Sequence, residues 1–197
     1  MVEGVPNLGA AVSDAELIDE ALAGNAEAFG GLVTKYQDRL YNTVVHVVGS
    51  TEDARDVVQD AFVQAFVKLE TFRRDSAFYT WLYRIAFNVG ISHLRRKKPT
   101  ASIDQIQEDA GQQPIDDVEA PSDRMEQQER AVRIRAGLEQ LNEQHRTILV
   151  LREIDGSSYE QISEILSLPV GTVRSRLHRA RMQLRDQLKE MLQEDLQ

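Results

Sequence analysis

The chain has 197 residues, of which 23 are Lys or Arg and 32 are Asp or Glu, and its formal net charge is −9. It contains no cysteine, which excludes disulfides, thiol chemistry and cysteine-ligated zinc. No apolar run is long enough to cross a bilayer and residues 1–12 lack the pattern of a secretion signal, so the composition predicts a soluble cytoplasmic protein.

The charge is unevenly distributed along the chain. Residues 1–70 contain twelve acidic residues and four cations, and residues 99–123 contain seven acidic residues and no Lys or Arg. Two basic tracts, residues 84–98 and 174–189, stand apart from these acidic stretches. A chain divided in this way should bind naked DNA weakly and should need a partner that delivers it to DNA.

Residues 13–98 are predicted to form a four-helix module that follows a short tail of residues 1–12. A capping box at Ser13–Glu16 opens the first helix, and Gly24–Asn25 ends it. The second helix is predicted from about Ala26 to Val48, because apolar residues recur there at helical spacing.

The third helix is predicted to begin at Thr51, after a break at Gly49–Ser50, and to have two distinct faces. One face is apolar and should be buried: Ala54, Val57, Val58, Ala61, Phe62, Ala65 and Leu69. The other face is polar: Asp53, Asp56, Gln59, Asp60 and Gln64. An acidic helix face is usually solvated, and the alternative is a docking surface for a basic partner.

The stretch from Phe72 to Lys98 contains six aromatic residues, no acidic residue from Ser76 onward, and four consecutive cations at its end. Ser76 can cap a helix that buries Phe78, Leu82, Ile85, Ala86 and Val89. That spacing leaves other aromatics unexplained: Phe72, Tyr79, Trp81 and Tyr83. Aromatic residues interleaved with arginine suit single-stranded nucleic acid, because rings stack on unpaired bases and cations follow the phosphates. The alternative is a core helix with a basic end.

The acidic segment of residues 99–123 contains three of the five prolines and few large apolar residues, so it is predicted to link two modules. The second module is predicted over residues 124–192, before a tail of residues 193–197. Its first helix should bury Met125, Val132, Ile134 or Arg135, Leu138 and Leu141. Its second helix, capped by Asn142 and ended by Asp155–Gly156, should bury Ile148, Leu149, Leu151 and Ile154.

Residues 158–189 have the dimensions of a helix-turn-helix. Ser158–Gln161 is a capping box for its first helix, and Pro169 suits the first turn of its second helix. The second helix has an apolar stripe of Val173, Leu177, Ala180 and Leu184 and a cationic stripe of Arg174, His178, Arg181 and Arg185, which Arg176, Arg179 and Lys189 widen. This helix is predicted to bind the major groove of duplex DNA, because arginine can bond guanine edges and phosphates. The alternative is a solvated basic helix.

No catalytic, cofactor or metal site is predicted. The four histidines are scattered singly, and none is paired with a carboxylate or another histidine at ligand spacing: His46, His93, His145 and His178. Gly30–Gly31 lies inside a helical pattern and lacks a phosphate-binding motif around it. The expectation is a non-enzymatic protein that needs no cofactor.

Four collinear motifs resemble the extracytoplasmic-function (ECF) sigma factors of bacterial RNA polymerase, most closely the sigma-E type. They are Asp53–Phe62, Phe72–Asn88, Leu151–Gly156 and Pro169–Arg181. The resemblance implies an all-α fold of two small helical domains, a four-helix region 2 and a helix-turn-helix region 4, joined by a flexible acidic linker. It also implies a stress-responsive or envelope-responsive subunit that binds core RNA polymerase, directs promoter-specific initiation and is controlled by an anti-sigma factor.

The resemblance assigns roles to individual residues. Those expected to bind the clamp helices of the largest polymerase subunit are Asp53, Asp56, Gln59, Asp60 and Phe62. Those expected at the minus-ten element, where an unpaired base of the non-template strand is held, are Phe72, Ser76, Phe78, Tyr79, Trp81, Arg84, Asn88, Arg95 and Arg96. Those expected at the minus-thirty-five element are Thr172, Arg174, Ser175, Arg176, His178, Arg179 and Arg181. Ser92 stands where many family members have an acidic residue, so the minus-ten base preference is not predicted.

Two other functions fit parts of the sequence. A stand-alone helix-turn-helix regulator would bind duplex DNA without polymerase, and it would leave the aromatic segment and the acidic helix without a role. An all-helical adaptor would use its basic helix to bind an acidic protein and would show no DNA-dependent activity.

Overall fold

The computed structural model describes residues 12–97 and 121–194, and within these ranges it consists of α-helices without a β-strand. The helices are α1 (Asp14–Leu22), α2 (Ala26–Val48), α3 (Thr51–Val67), α4 (Phe78–Lys97), α5 (Pro121–Gln140), α6 (Glu143–Leu149), α7 (Tyr159–Leu166) and α8 (Val170–Glu194). A 3₁₀ turn occupies Leu69–Thr71 and a π-helical segment occupies Val150–Ile154. The all-α prediction is confirmed. Most of the predicted linker lies outside the described residues, and its last three residues belong to α5.

Side-chain caps define most of the helix starts. Ser13 Oγ accepts a hydrogen bond from the backbone N–H of Glu16, whose carboxylate accepts from Ser13 N at 2.9 Å. The side chains of Asn25, Asn142 and Ser158 also accept a hydrogen bond from a backbone N–H two or three residues ahead, and they cap α2, α6 and α7. These bonds satisfy backbone donors that have no partner inside the helix.

One predicted cap is wrong by a residue. Helix α4 begins at Phe78, and the carbonyl of Ala77 accepts its first hydrogen bonds, from Thr80 N at 3.0 Å and Trp81 N at 3.3 Å. Ser76 therefore lies one residue before the position that it was expected to occupy. Helix α3, in contrast, is capped by Ser50, whose hydroxyl accepts from Asp53 N at 3.3 Å.

Two glycines, one inside α2 and one at its end, should respond in opposite ways to the same substitution. Gly49 ends the helix with φ at 82°, where a Cβ atom is strained, so Gly49→Ala should lower the free energy of unfolding by ~1–2 kcal/mol. Gly30 lies inside the helix, where an added methyl group would meet open space, so Gly30→Ala should raise it by ~0.5–1 kcal/mol. Urea unfolding followed by circular dichroism measures both, and equal effects of one sign would contradict the assignment.

The first half of the chain packs α1, α2, α3 and α4 around one another. Its fully buried side chains are aliphatic or aromatic: Leu32, Leu40, Val44, Val57, Leu82 and Tyr83. The Tyr83 hydroxyl, 3.2 Å from Thr43 Oγ1, has a hydrogen-bond partner inside this core. The core therefore includes a tyrosine from the aromatic stretch that the apolar spacing had left unexplained.

The second half packs α5, α6 and α7 against α8. The predicted buried residues Leu138, Leu141, Ile148, Leu149 and Leu151 are buried. Two other predicted members of this core, Val132 and Ile154, are exposed. Of the alternatives Ile134 and Arg135, the first is exposed and the second is half-buried. Helix α5 approaches α8 near Gly137, where an added Cβ would lie 2.9 Å from Leu184 Cδ1.

The two halves are in contact in this structure. Helix α4 packs against α7, and α2 packs against α6 and the π-helical segment Val150–Ile154. The buried apolar residues of both halves form one continuous cluster. The sequence had left the relative placement of the halves open.

Candidate nucleic-acid interface

A helix-turn-helix is formed by α7, the turn Ser167–Pro169 and α8. Ser167 adopts a left-handed conformation with φ at 53°, and Ser163 Oγ donates to the carbonyl of Leu168 at 2.5 Å, which fixes the turn. The two helices bury a shared apolar set: Ile162, Ile165, Val173, Leu177 and Ala180. Because these residues face inward, the opposite side of α8 is directed to solvent.

The residues predicted for duplex DNA lie mainly on this exposed side of α8. Arg174, Ser175, His178, Arg179 and Arg181 are exposed, whereas Thr172 and Arg176 are half-buried. Ser175 Oγ donates to the carbonyl of Thr172 at 3.1 Å, so this hydroxyl already has a partner within the helix. The fold therefore gathers cationic side chains on one exposed side of a single α-helix, an element that the major groove admits.

Arg181, one of the residues predicted for duplex DNA, is ion-paired within the same half. Its Nε and Nη2 atoms donate to Glu153 Oε1 at 2.9 and 2.6 Å, and the hydrogen bond to this carboxylate raises the pKa of Arg181. Arg152, the residue before Glu153, donates to the carbonyl of Ser157 at 2.8 Å and lies 5.2 Å from the Tyr159 ring. Arg152 and Glu153 hold α7 and α8 in place, a role for which neither residue carried a signal in the spacing of the sequence.

The minus-ten candidates divide between the core and the surface of α4. Phe78 is buried and forms a ring cluster with half-buried Phe72 and Trp81, at centroid distances of 5.2 to 5.7 Å. Tyr79 and Ser76 are half-buried. The rings of the aromatic stretch therefore contribute mainly to packing. Those of Phe72, Tyr79 and Trp81 remain partly accessible to solvent.

A polar stripe follows the solvent side of α4. Arg84, Asn88, Ser92 and Arg95 recur at helical spacing, and Arg84, Asn88, Arg95 and Arg96 are exposed. Ser92 Oγ donates to the carbonyl of Asn88 at 2.7 Å, and Arg96 Nε donates to the carbonyl of Ser92 at 3.3 Å. The fold therefore places cationic and amide side chains beside the half-buried ring of Trp81 along one helix.

The loop before α4 is tied to α1. Arg74 adopts a left-handed backbone conformation with φ at 61°, which is unusual for a residue with a side chain. Its guanidinium is ion-paired with Asp19 of α1. Both side chains are exposed, so the pair orients the loop more than it stabilises the fold.

The acidic residues predicted to bind polymerase are not equivalent. Asp56 and Asp60 are exposed on α3, as expected, and the neighbouring residue Gln59 is exposed as well. Asp53 was expected on the same exposed face, but it is only 8% exposed and its Oδ1 lies 2.9 Å from His93 Nε2 of α4. This prediction of exposure is wrong, because α4 packs over the first turn of α3.

An apolar groove of about 590 Å³ lies between α2 and α3. Its apolar lining is Phe29, Val33, Tyr41, Val58, Phe62, Val63 and Phe66, with Gln37, Asp38, Arg55 and Gln59 at its polar positions. Phe66 and Val63 are about half-exposed, at 49% and 57%, although both are large and apolar. The sequence contained a signal for this groove, since Val63, Phe66 and Val67 fall outside the predicted buried stripe of α3.

In residues 12–97 and 121–194, no group of three or more His, Cys, Asp or Glu side chains is placed to hold a metal ion. None of the helices in these ranges combines the length and apolar character that a membrane crossing requires.

Two family models match this chain. The model for sigma-70 region 2 matches residues 32–100, and the model for sigma-70 region 4 matches residues 131–184. The RNA polymerase sigma-H factor of Pseudomonas aeruginosa is 42% identical over 187 residues, which cover 92% of this chain and 96% of the relative. The ECF RNA polymerase sigma-E factor of Escherichia coli K12 is 40% identical over 177 residues, which cover 86% of this chain and 91% of the relative.

A solved structure is similar in both sequence and fold. It contains CnrH in complex with the cytosolic domain of CnrY. The similarity has a TM-score of 0.66 at 29% identity and covers 90% of this chain and 97% of the matched chain.

Proposed function

This chain belongs to the ECF sigma factors of bacterial RNA polymerase, and on that premise we propose how its residues divide the work of promoter recognition. As a sigma factor it directs promoter-specific initiation by core polymerase. The single observation that supports the division of work best is the exposed cationic side of α8, opposite the buried stripe of Val173, Leu177 and Ala180. Region 4 binds the minus-thirty-five element as a duplex through this side of α8.

In this proposal Arg174 and Arg179 of α8 face the major groove together with Ser175 and His178. A guanidinium can donate two hydrogen bonds to the O6 and N7 atoms of guanine, which discriminates that base by ~1–3 kcal/mol. The other cations bind phosphates and set the position of the helix on the duplex. Arg181, held by Glu153, acts as a positioning residue within region 4.

Region 2 binds the minus-ten element after the strands separate. Unstacking a base costs a few kcal/mol, and stacking on an aromatic ring returns ~1–3 kcal/mol per base. Trp81, Tyr79 and Phe72 have partly accessible rings for this purpose, and Arg84 and Asn88 lie along the same helix. The melted strand is therefore stabilised by binding, and the sigma factor needs no catalytic group of its own.

Core polymerase docks on α2 and α3. The apolar groove supplies the centre of this surface, and the exposed side chains of Asp56, Gln59 and Asp60 supply its polar edge. Such an arrangement matches stable protein interfaces, in which an apolar centre is surrounded by a polar rim. Asp53 contributes indirectly, since its contact with His93 holds α3 against α4.

A protein inhibitor is a further part of the proposal. CnrH, which is similar over most of its length, forms a complex with the cytosolic domain of CnrY. We expect an anti-sigma factor for this chain that covers the groove between α2 and α3, so that inhibitor and core polymerase compete. The cytoplasmic location expected from the sequence belongs to this proposal, because core polymerase and promoter DNA are there.

Transcription in vitro tests the proposed function. Core polymerase with this protein should initiate at a cognate promoter, and neither component alone should do so. Tight duplex binding by the protein without polymerase would favour a stand-alone regulator. If no DNA-dependent activity arose with core polymerase on any promoter, the adaptor function would replace the proposal.

Arg174→Ala should lower transcription from the cognate promoter about 5- to 150-fold, which corresponds to ~1–3 kcal/mol. The loss should depend on the identity of one base pair of the minus-thirty-five element, the one that Arg174 contacts. The measurement is in vitro transcription from a panel of promoters that differ by one base pair each. Arg185→Ala is the matched control, because Arg185 is also exposed on α8 but is paired with Asp186 and is not among the residues expected at the minus-thirty-five element. As a phosphate contact at most, it should weaken all promoters of the panel alike. Equal weakening by Arg174→Ala on every promoter would show that Arg174 contacts only phosphate.

A further inference from the structure

Helix α1 is fixed to the rest of region 2, although the match to the sigma-70 region 2 model begins at residue 32 and does not include this helix. Ile18 of α1 is buried in the apolar core. Asp14 accepts a hydrogen bond from Lys35 Nζ of α2 at 2.5 Å and another from the Tyr36 hydroxyl. Helix α1 is therefore a firm base from which a side chain can hold a neighbouring segment.

Asp19 of α1 holds such a segment, the loop of residues 72–77 that precedes α4. Arg74 Nη2 donates to Asp19 Oδ1, and Arg74 Nη1 lies 3.5 Å from Asp19 Oδ2, so the guanidinium meets both carboxylate oxygens. The hydrogen bond between them lowers the pKa of Asp19 and raises the pKa of Arg74, so both groups are charged at neutral pH. A contact at two points fixes the direction of the arginine side chain as well as its distance.

The middle of this loop depends on the ion pair. At the start of the loop, Phe72 N donates to the carbonyl of Leu69 at 3.0 Å. Among the residues that the structure describes, those at positions 73–76 form no hydrogen bond other than the ones between Arg74 and Asp19. Arg74 also has φ at 61°, a conformation that a residue with a Cβ atom keeps only where its surroundings hold it. Asp19 is the observed contact that does so.

The loop carries residues expected at the minus-ten element. Phe72 and Ser76 stand two residues before and two residues after Arg74. The Phe72 ring packs against Phe78 and Trp81 at centroid distances of 5.7 and 5.2 Å, so a shift of the loop would also change the ring surface that Trp81 offers. A binding site requires its contact groups to be held in place by the residues around them.

We propose that α1 belongs to the minus-ten site and that Asp19 is a positioning residue, which holds Arg74 and thereby keeps residues 72–77 in the conformation that binds the unpaired strand. This inference rests on the proposed function of region 2 and adds to it an element outside the region 2 match. Asp19 acts through Arg74 and does not contact DNA, since a carboxylate repels phosphates. Arg74 in turn is a partner of α1 and not a phosphate contact.

Promoter opening by core polymerase with this protein tests the role of Asp19. The probe is the fluorescence of 2-aminopurine placed in the non-template strand of the minus-ten element of a cognate promoter. Asp19→Asn should lower the equilibrium constant for opening about two- to fivefold, the upper part of the range for an exposed ion pair. Its affinity for core polymerase and its urea midpoint should equal those of the wild type, because 63% of the Asp19 side chain is exposed.

Rescue by an exchanged pair separates positioning from a direct contact with DNA. Arg74→Asp sets two carboxylates against each other and should lower opening further than Asp19→Asn does, although aspartate tolerates the left-handed conformation. Adding Asp19→Arg to Arg74→Asp restores the pair with reversed polarity and should recover most of the opening. An arginine that binds phosphate would not be replaced by this exchange.

Glu20→Gln is the matched control, because it removes the same charge from the next residue of α1. Glu20 is exposed, and its carboxylate accepts from Asn25 Nδ2 at 3.0 Å at the end of the helix, away from the loop. This variant should open the promoter as the wild type does.

Three results would overturn the role of Asp19. They are unchanged opening by Asp19→Asn relative to Glu20→Gln, increased opening by Asp19→Asn, which would make Arg74 a DNA contact that Asp19 restrains, and no recovery in the exchanged pair. Should the exchanged pair lose helix content by circular dichroism, Asp19→Asn decides, because it is nearly isosteric. A wild-type protein that opened no promoter would refute the proposed function, whereas normal opening by the wild type and every variant would refute only the role of Asp19.

Discussion

Val63→Glu should weaken binding of this sigma factor to core RNA polymerase by about 30-fold or more, while helix content stays unchanged. Val63 lines the groove between α2 and α3, where 57% of its surface is exposed in the free protein. Hot-spot residues at the centre of an interface contribute ~2 kcal/mol or more, and a buried unpaired carboxylate adds a desolvation cost. A titration of labelled sigma factor with core polymerase measures the effect.

Val132→Glu provides the matched control for this substitution. Val132 is also a helical valine, on α5, and its exposed fraction of 62% is close to that of Val63. It lies in the other half of the chain and does not line the groove. The control should bind core polymerase as the wild type does. If both variants weakened binding equally, or if Val63→Glu bound normally, the groove would not be the docking centre.

The groove changes how the acidic helix is interpreted. The resemblance pointed to four polar residues of α3 and to Phe62, and an interface of exposed carboxylates alone would depend strongly on salt. With Phe62 buried at 7% exposure and Phe66 half-exposed beside it, the same surface has an apolar centre. Binding to core polymerase should therefore retain much of its strength at high salt, since apolar contacts are not screened.

Tyr83→Ala should lower the free energy of unfolding by ~3–5 kcal/mol, the range for removing a buried aromatic ring. Tyr83 is fully buried, and its ring contacts those of Tyr79 and Phe87 at centroid distances of 5.8 and 6.0 Å. The substitution also removes the hydroxyl that bonds Thr43 and Asp155. Urea unfolding followed by circular dichroism measures the loss.

Tyr79→Ala is the comparison for this prediction. Tyr79 is only half-buried, with the Arg39 guanidinium 4.7 Å from the centre of its ring, so its loss should cost roughly 1 kcal/mol of stability. Its effect should fall instead on opening of the minus-ten element. Were Tyr83→Ala as stable as the wild type but defective in DNA opening, Tyr83 would be a base-stacking residue and the core assignment would be wrong.

Local chemistry made much of the fold predictable. Ser13, Asn25, Asn142 and Ser158 cap helices where the sequence placed helix starts, because a short polar side chain bonds the N–H groups two or three residues ahead. Gly49 has the positive φ that ends α2. These features depend on neighbours within four residues and need no knowledge of the tertiary structure.

The candidate site was predictable only in part, and Asp53 and Tyr83 show why. Periodicity placed Asp53 on a polar face and left Tyr83 outside the apolar stripe, but both are buried. Asp53 is covered by His93, 40 residues away, and Tyr83 bonds Asp155, 72 residues away. Spacing along a helix indicates which residues share a face, and it does not indicate which faces a neighbouring helix will cover.

By itself the sequence determined the all-α class, most of the helix starts, the cationic stripe of α8 and the family to which the chain belongs. Only the tertiary structure decided that α2 and α3 leave an apolar groove open, and that Arg39 meets Asp155 across 116 positions. The physical reason is the range of the interactions. Caps and helical stripes are set by bonds between residues a few positions apart, whereas a groove or a contact between halves exists only after distant segments have packed together.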